Sequence, residues 1–143
     1  MEENKTSETI RVIFLSPGKK AEMREIEPTL ESMQSQVGGM IEEYMPFDDD
    51  AAIVCNEEGK MMGLPLNRAV KDEDGRVMDI ICGDFFICYA PIESEEFLSL
   101  PPEMEKKYKE KFAWPETFMQ TENGIRAVAY EPKEAVKMRE DAR

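Results

Sequence analysis

The stretch FFICY at residues 85–89 is the most strongly apolar part of the chain and predicts a deeply buried strand. A Gly-Asp bend at 83–84 separates it from a second predicted strand at 77–82. The stretch IRVIFL at 10–15 is rich in β-branched and aromatic residues and predicts a third strand. After a Ser-Pro-Gly turn, residues 21–26 alternate weakly, which suggests a strand pairing back on 10–15.

A long helix is predicted after these first strands. Thr29 is a plausible N-cap, and apolar residues then recur at helical spacing as far as Tyr44. Gly38-Gly39 falls inside this predicted helix, which suggests close packing on the sheet or a kink, since each glycine costs about 1 kcal/mol in a helix. Pro46 is expected to end the helix.

The middle of the chain alternates short apolar runs with turns. Residues 51–55 predict a strand, and the Asn-Glu-Glu-Gly turn at 56–59 predicts a hairpin that returns through 60–64. Residues 65–70 lead out of that hairpin, and the Asp-rich segment 72–75 ends in glycine and predicts another turn.

The last third predicts a helix at 103–112, with Met104, Tyr108 and Phe112 on one face. A strand is expected at 125–130, and a short terminal helix is expected from Pro132 to about Arg139.

Together these elements predict an α+β fold, in which a mainly antiparallel sheet carries one main helix and a smaller C-terminal helical element. The expected organisation is a disordered N-terminal tail at 1–9 and a core domain at 10–90. Residues 91–131 would form a helix-strand extension of the same domain, and 132–143 a terminal helix or tail.

The composition excludes several mechanisms. The 143 residues contain no histidine, so a Ser-His-Asp or Cys-His nucleophile pair within the chain and a histidine-ligated zinc site are both ruled out. The net charge is −13, and the first hundred residues carry all of it because 101–143 hold nine acidic and nine basic residues. Direct nucleic-acid binding is therefore not expected, because it needs a basic surface.

Cys55, Cys82 and Cys88 are expected to be reduced and buried in apolar strands. We expect no cofactor and no metal. The acidic run at 48–50 fails the EF-hand pattern, since glycine occupies the twelfth position. The polar start of the sequence and the lack of a long apolar run predict a cytoplasmic protein without a membrane segment. The oligomeric state is left open.

Packing alone explains the segment Gly63 to Arg68 least well. Asn67 offers a donor and an acceptor, and Arg68 offers a planar cation. A structural interpretation has Asn67 satisfying nearby backbone groups and Arg68 pairing with the acidic turns. The alternative is that Arg68 binds a small anionic ligand or a partner's carboxylate. We take Asn67, Arg68, Asp48, Asp49 and Asp50 as candidate ligand or partner contacts, and we identify no catalytic residue.

The eleven methionines allow two interpretations. A methionine-rich contact surface is conceivable, because the flexible thioether side chain adapts to partners. Most methionine positions nevertheless fit apolar faces, so the sequence favours core filling.

Three stretches carry a family resemblance: RVIFLSPGKKAEMREI, TLESMQSQVGGMIEEYMPFDDDAAIVCNEEGKMMGLPLNRAV and DEDGRVMDIICGDFFICYAP. Over residues 10–90 they resemble the Domain of Unknown Function 3846 family, including its V-G-G helix, C-N-E-E-G-K hairpin, L-P-x-N-R segment and G-x-F-F strand. The resemblance implies a bacterial or phage origin, often within mobile elements, and no assigned activity. Asn67 matches the characteristic asparagine of the family.

These observations lead us to expect a non-enzymatic, acidic accessory protein of a mobile element or phage that binds a protein partner. The partner would be basic or nucleic-acid-binding, and the chain could act on it as a DNA mimic if its carboxylates form one continuous face. The alternatives are a small-molecule-binding domain that uses Gly63 to Arg68 and an enzyme with a clustered Asp, Glu, Lys and Tyr site.

Overall fold

A computed structural model describes residues 8–133 of the chain. Its elements, in chain order, are β1 (Ile10–Leu15), β2 (Glu22–Ile26), α1 (Leu30–Val37), β3 (Ile41–Tyr44), β4 (Ala51–Asn56), β5 (Leu66–Lys71), β6 (Val77–Cys82), β7 (Phe85–Tyr89), α2 (Pro102–Lys111), β8 (Glu116–Thr121) and β9 (Gly124–Ala129). The predicted α+β class, built on antiparallel sheet, is confirmed. No helix within 8–133 is long and apolar enough to cross a membrane.

The FFICY strand, β7, lies at the centre of a five-stranded antiparallel sheet of order β2-β1-β7-β4-β3. Ile87 lies opposite Ile13 on one side and Ile53 on the other, and all three side chains are fully buried. Because strand side chains alternate between faces, this register places an apolar row on each side of the sheet.

Different elements cover the two faces of this sheet. Met33 and Val37 of α1 pack on the face that carries Phe86. On the opposite face, Tyr108 of α2 and the β5–β6 hairpin cover the face that carries Ile87. The β8–β9 hairpin then packs against β5 and β6.

The predicted helix 30–44 is wrong in its second half. Thr29 caps α1 as expected, its side chain accepting a hydrogen bond from the Ser32 amide. The helix ends at Val37, because Gly38 adopts φ +78°, a left-handed conformation that glycine enters without strain and that ends helices. Residues 41–44 then form the edge strand β3.

The predicted return strand at 60–64 is also wrong. Residues 57–63 form successive turns, and the hairpin partner of β4 is the preceding strand β3, with Glu42 opposite Cys55. The strand after these turns is β5, which pairs with β6 across the predicted turn at 72–75.

The C-terminal part of the structure agrees in outline with the elements predicted from the sequence. The predicted helix is present as α2, with Tyr108 and Phe112 buried and Met104 packed beside them, and it is longer than α1. The strand β8 was not predicted. The expected terminal helix from Pro132 to Arg139 lies almost wholly outside the described residues.

Candidate functional site

Asn67 is buried at the start of β5, where two distant chain segments meet. Its side-chain Nδ2 donates to the main-chain oxygen of Leu15 at 2.9 Å and to that of Gly83 at 2.7 Å. The amide therefore joins the end of β1 to the bend before β7. Both acceptors are main-chain oxygens of buried residues.

Arg68 is the largest fully buried side chain of the described part of the protein. Its Nε donates to the oxygen of Phe112 at 3.1 Å, and its terminal nitrogens donate to Lys19 O at 2.7 Å and Ser16 O at 3.4 Å. A fourth bond, of 2.8 Å, runs to Oδ1 of Asn67. Burial lowers the pKa of Arg68 to about 10, so the guanidinium stays charged at neutral pH.

These contacts place Arg68 at a junction of the β1–β2 turn, the end of α2 and β5. Its hydrogen bonds go to main-chain oxygens and to its neighbour Asn67, and none goes to the acidic turns. A ligand could reach the guanidinium only by displacing several of these bonds.

The other motif residues close the packing around β4. Asn56 is buried, its Nδ2 donates to Val37 O at the end of α1, and its Oδ1 accepts from the Glu58 amide. A β-carbon at Gly39 would lie 2.8 Å from Asn56 Nδ2, and one at Gly59 would lie 2.8 Å from the Cys82 main-chain oxygen. The V-G-G and C-N-E-E-G-K motifs are thus accounted for by close packing.

The three consecutive aspartates have different surroundings. Asp49 accepts from the Ala51 amide with Oδ1, and from Tyr108 Oη at 2.8 Å and Lys107 Nζ at 3.2 Å with Oδ2. Burial acts to raise its pKa, but these hydrogen bonds and the Lys107 charge outweigh burial and lower it. Asp48 and Asp50 are exposed. No hydrogen bond or ion pair in the described chain links 48–50 to Asn67 or Arg68.

A separate cleft of about 320 Å³, which we call the β3–β6 cleft, lies between the sheet edge and the second hairpin. Its lining includes the buried side chains of Cys55, Ile81 and Cys82. Its polar lining is Glu42, Tyr44, Asn56, Glu57, Lys60 and Asp79. Lys60 is ion-paired with Asp79.

The surroundings of the β3–β6 cleft raise the pKa values of several side chains that line it. Burial, followed by the charges of Glu42 and Asp79, raises the pKa of the Cys55 thiol to about 12. Burial and Asp79 also raise the pKa of Tyr44, and the hydrogen bond from Lys60 to Asp79 raises the pKa of Lys60. The thiols are therefore neutral at pH 7 and poor nucleophiles.

Sequence reasoning missed the β3–β6 cleft because it placed Glu42 and Tyr44 on a helix. The cleft could have been predicted if Gly38-Gly39 had been interpreted as the end of the helix. A strand at 41–44 puts Glu42 and Tyr44 on one face and Ile41 and Glu43 on the other.

A larger groove, which we call the hairpin groove, lies between β5–β6 and the tip of β8–β9. Its volume is about 730 Å³. Leu66, Met78 and Ile125 line it and are 47%, 55% and 42% exposed. Leu64, Val77 and Ile80 extend the apolar lining.

The expectation that the methionines fill the core is wrong. Met33 belongs to the core, whereas the six methionines at 40, 45, 61, 62, 78 and 119 are all more than 40% exposed. Met61 and Met62 directly precede Gly63 and Leu64 of the hairpin groove, and Met61 is 86% exposed. The physical reason is that short turns and edge positions fit the apolar pattern without lying against the core.

The cysteines are free and buried, as expected. Among residues 8–133 no group of three or more Cys, Asp or Glu side chains is arranged to hold a metal ion.

Comparison with known families gives a match over most of the chain. The model of a family described as a domain of unknown function (DUF3846) matches residues 10–113. No curated protein and no solved structure matches the chain. The matched range ends just after α2, so the β8–β9 hairpin lies beyond it.

Proposed function

We propose, for a chain that belongs to the DUF3846 family, a non-enzymatic binding role in which a partner protein docks in the hairpin groove. The role is that of an accessory protein of a bacterial mobile element or phage. The single observation that carries the docking proposal is the concentration of half-exposed Leu66, Met78 and Ile125 along one groove.

Apolar side chains gathered in this way favour a protein contact. Burying what remains exposed of these three side chains would contribute roughly 1 kcal/mol each. Methionine suits such a surface because its unbranched side chain can repack against different shapes. Single exposed apolar residues are ordinary, whereas a contiguous set marks an interaction surface.

Charge indicates the chemistry of the partner. The net charge is −13, and the acidic turn at 72–75 follows directly on β5, one of the strands that line the groove. We therefore propose a partner segment that presents apolar side chains flanked by lysine or arginine. Attraction of this kind raises the association rate and weakens as salt is added.

The DNA-mimic form of the proposal has weaker support. It requires an unbroken carboxylate face, and several basic side chains interrupt the carboxylates. Arg24 pairs with Glu22, and Lys107 pairs with Asp49. Arg76 follows the acidic turn, where its amide donates to Asp72. Lys20 lies over the Trp114 ring.

The small-molecule alternative based on Gly63 to Arg68 also has weaker support. Arg68 is fully buried on main-chain oxygens, and Asn67 is 1% exposed. Neither residue lines the β3–β6 cleft or the hairpin groove. Titratable groups do gather in the β3–β6 cleft, but its neutral thiols supply no nucleophile at pH 7.

The experiment is affinity capture from the natural host with a matched pair of variants. One variant changes the groove residues Leu66 and Met78 to Asp, and the control changes Met119, 50% exposed on β8 and outside the groove lining, to Asp. The proposal expects one protein that the natural chain and M119D both capture and that the groove variant loses while staying folded. Retention of the same protein by the groove variant contradicts it.

A further inference from the structure

The β3–β6 cleft combines a buried floor with one charged rim. Cys55, Ile81 and Cys82 are each less than 8% exposed, so a bound group would contact a dry surface. The volume of about 320 Å³ lies at the small end of ligand sites and fits a compact organic molecule.

The rim carries more negative than positive charge. Lys60 is ion-paired with Asp79, which leaves the side chains of the other two carboxylates of the lining, Glu42 and Glu57, without a hydrogen bond or ion pair in the described chain. Glu42 lies directly opposite Cys55 in the β3–β4 register, and both residues line the cleft. Three carboxylates against one lysine leave the cleft with excess negative charge beside an apolar floor, which favours a cation that carries an apolar body.

The floor of the cleft includes the side chain of Cys55. The Cys55 thiol lines the cleft, its residue is 6% exposed, and it makes no hydrogen bond among residues 8–133. A free thiol packs as a small apolar group with a weak donor, so Cys55 forms part of the apolar floor of the cleft. Burial and the nearby carboxylates keep this thiol protonated, so it can donate weakly to a bound molecule.

We propose that the β3–β6 cleft binds a small organic cation, a primary ammonium joined to a short apolar body. The ammonium contacts the Glu42 carboxylate and lies near Asp79. The apolar body lies along the Tyr44 ring and over Cys55, Ile81 and Cys82. This proposal goes beyond the docking proposal. The cleft and the hairpin groove share Lys60, Asp79, Ile80 and Cys82, whereas Glu42, Tyr44 and Cys55 line the cleft and not the groove.

The test is titration of the ¹⁵N-labelled protein with benzylamine, with benzyl alcohol as the neutral and benzoate as the anionic analogue. Benzylamine should shift the amides of 42–44, 55–56 and 79–82 in a saturable way, and the analogues should not. Glu42→Gln should weaken binding about tenfold, the loss of one charge-assisted contact. The matched control is Glu43→Gln, since Glu43 is the next residue and lies on the opposite face of β3.

Three outcomes overturn the proposal. The first is equal shifts with benzyl alcohol, which would remove the need for a cation. The second is equal weakening in E42Q and E43Q, which would reduce the effect to overall charge. The third is shifts spread over acidic turns such as 72–75, which would show adventitious binding. Glu42 is exposed on an edge strand, so E42Q should fold normally, and its amide dispersion verifies this.

Discussion

The side-chain amide of Asn67 donates to the main-chain oxygen of Gly83 at 2.7 Å and joins two parts of the chain that are 16 residues apart. The same nitrogen bonds Leu15 O, 52 residues away. The asparagine of the L-P-x-N-R segment therefore connects β1, β5 and the bend before β7 inside the protein. This relationship separates the residues that build the fold from those available for binding.

Replacement of Asn67 by alanine should destabilise the protein by about 3 kcal/mol, because it removes two buried hydrogen bonds to main-chain oxygens. The measurement is urea unfolding followed by circular dichroism. Asn123→Ala is the matched control, since Asn123 is exposed in the β8–β9 turn, and a change within about 0.5 kcal/mol is expected there. Equal effects of the two variants would contradict the structural role of Asn67.

Arg68→Lys should destabilise the protein by about 2–4 kcal/mol, although it keeps the charge. One ammonium nitrogen cannot reach Phe112 O, Lys19 O and Ser16 O together, whereas the planar guanidinium does. Thermal and urea unfolding measure the loss, with Arg126→Lys on the exposed part of β9 as the control. A stable R68K protein that had lost binding of an anionic ligand would support the ligand interpretation instead.

Gly59→Ala should destabilise the protein more than Gly39→Ala. The new β-carbon at Gly59 would lie 2.8 Å from a main-chain oxygen. The backbone of a packed strand moves less easily than the end of a side chain, so this clash is harder to relieve. At Gly39 the new atom would meet the end of the Asn56 side chain, which can move at the cost of its bond to Val37 O. Paired melting curves test the order, and the reverse order would show that the packing around β4 differs from this account.

Asp49 should add to the loss of stability in acid. Its pKa is lowered in the folded protein, so its contribution is present above the unfolded pKa and disappears as the pH falls through the folded one. Asp49→Asn should therefore be less stable than the natural chain at pH 7 and should lose less stability below about pH 4. Urea midpoints measured from pH 2 to 7 test this, with exposed Asp50→Asn as the control. If the urea midpoints of all three proteins fell by the same amount between pH 7 and pH 2, Asp49 would make no such contribution.

The sequence predicted the strands β1, β4, β6 and β7 because each is a short, mostly apolar run that contains β-branched or aromatic residues. It placed 41–44 on a helix because Ile41 and Tyr44, three residues apart, fit helical spacing as well as a short strand. Local pattern also could not show that Arg68 is buried, because its acceptors come from Ser16, Lys19 and Phe112, more than 40 residues away.

The candidate surfaces depend on contacts of the same long range. The hairpin groove forms only when β8–β9 packs on β5–β6, and β8 has no strong apolar alternation. The β3–β6 cleft likewise needs the register that sets Glu42 opposite Cys55. Turn residues and buried strands could be predicted locally, whereas these surfaces depend on how hairpins far apart in the chain meet.

The most direct test of partner docking is site-specific photo-crosslinking in the natural host. One chain carries the photoreactive residue at Ile125, which lines the hairpin groove, and the other carries it at Val128, which lies outside that lining on the same strand. Docking in the groove predicts one discrete adduct from position 125, lost when Met78 is changed to Asp, and little or none from position 128. Adducts of equal yield from both positions, or from position 128 alone, would contradict it.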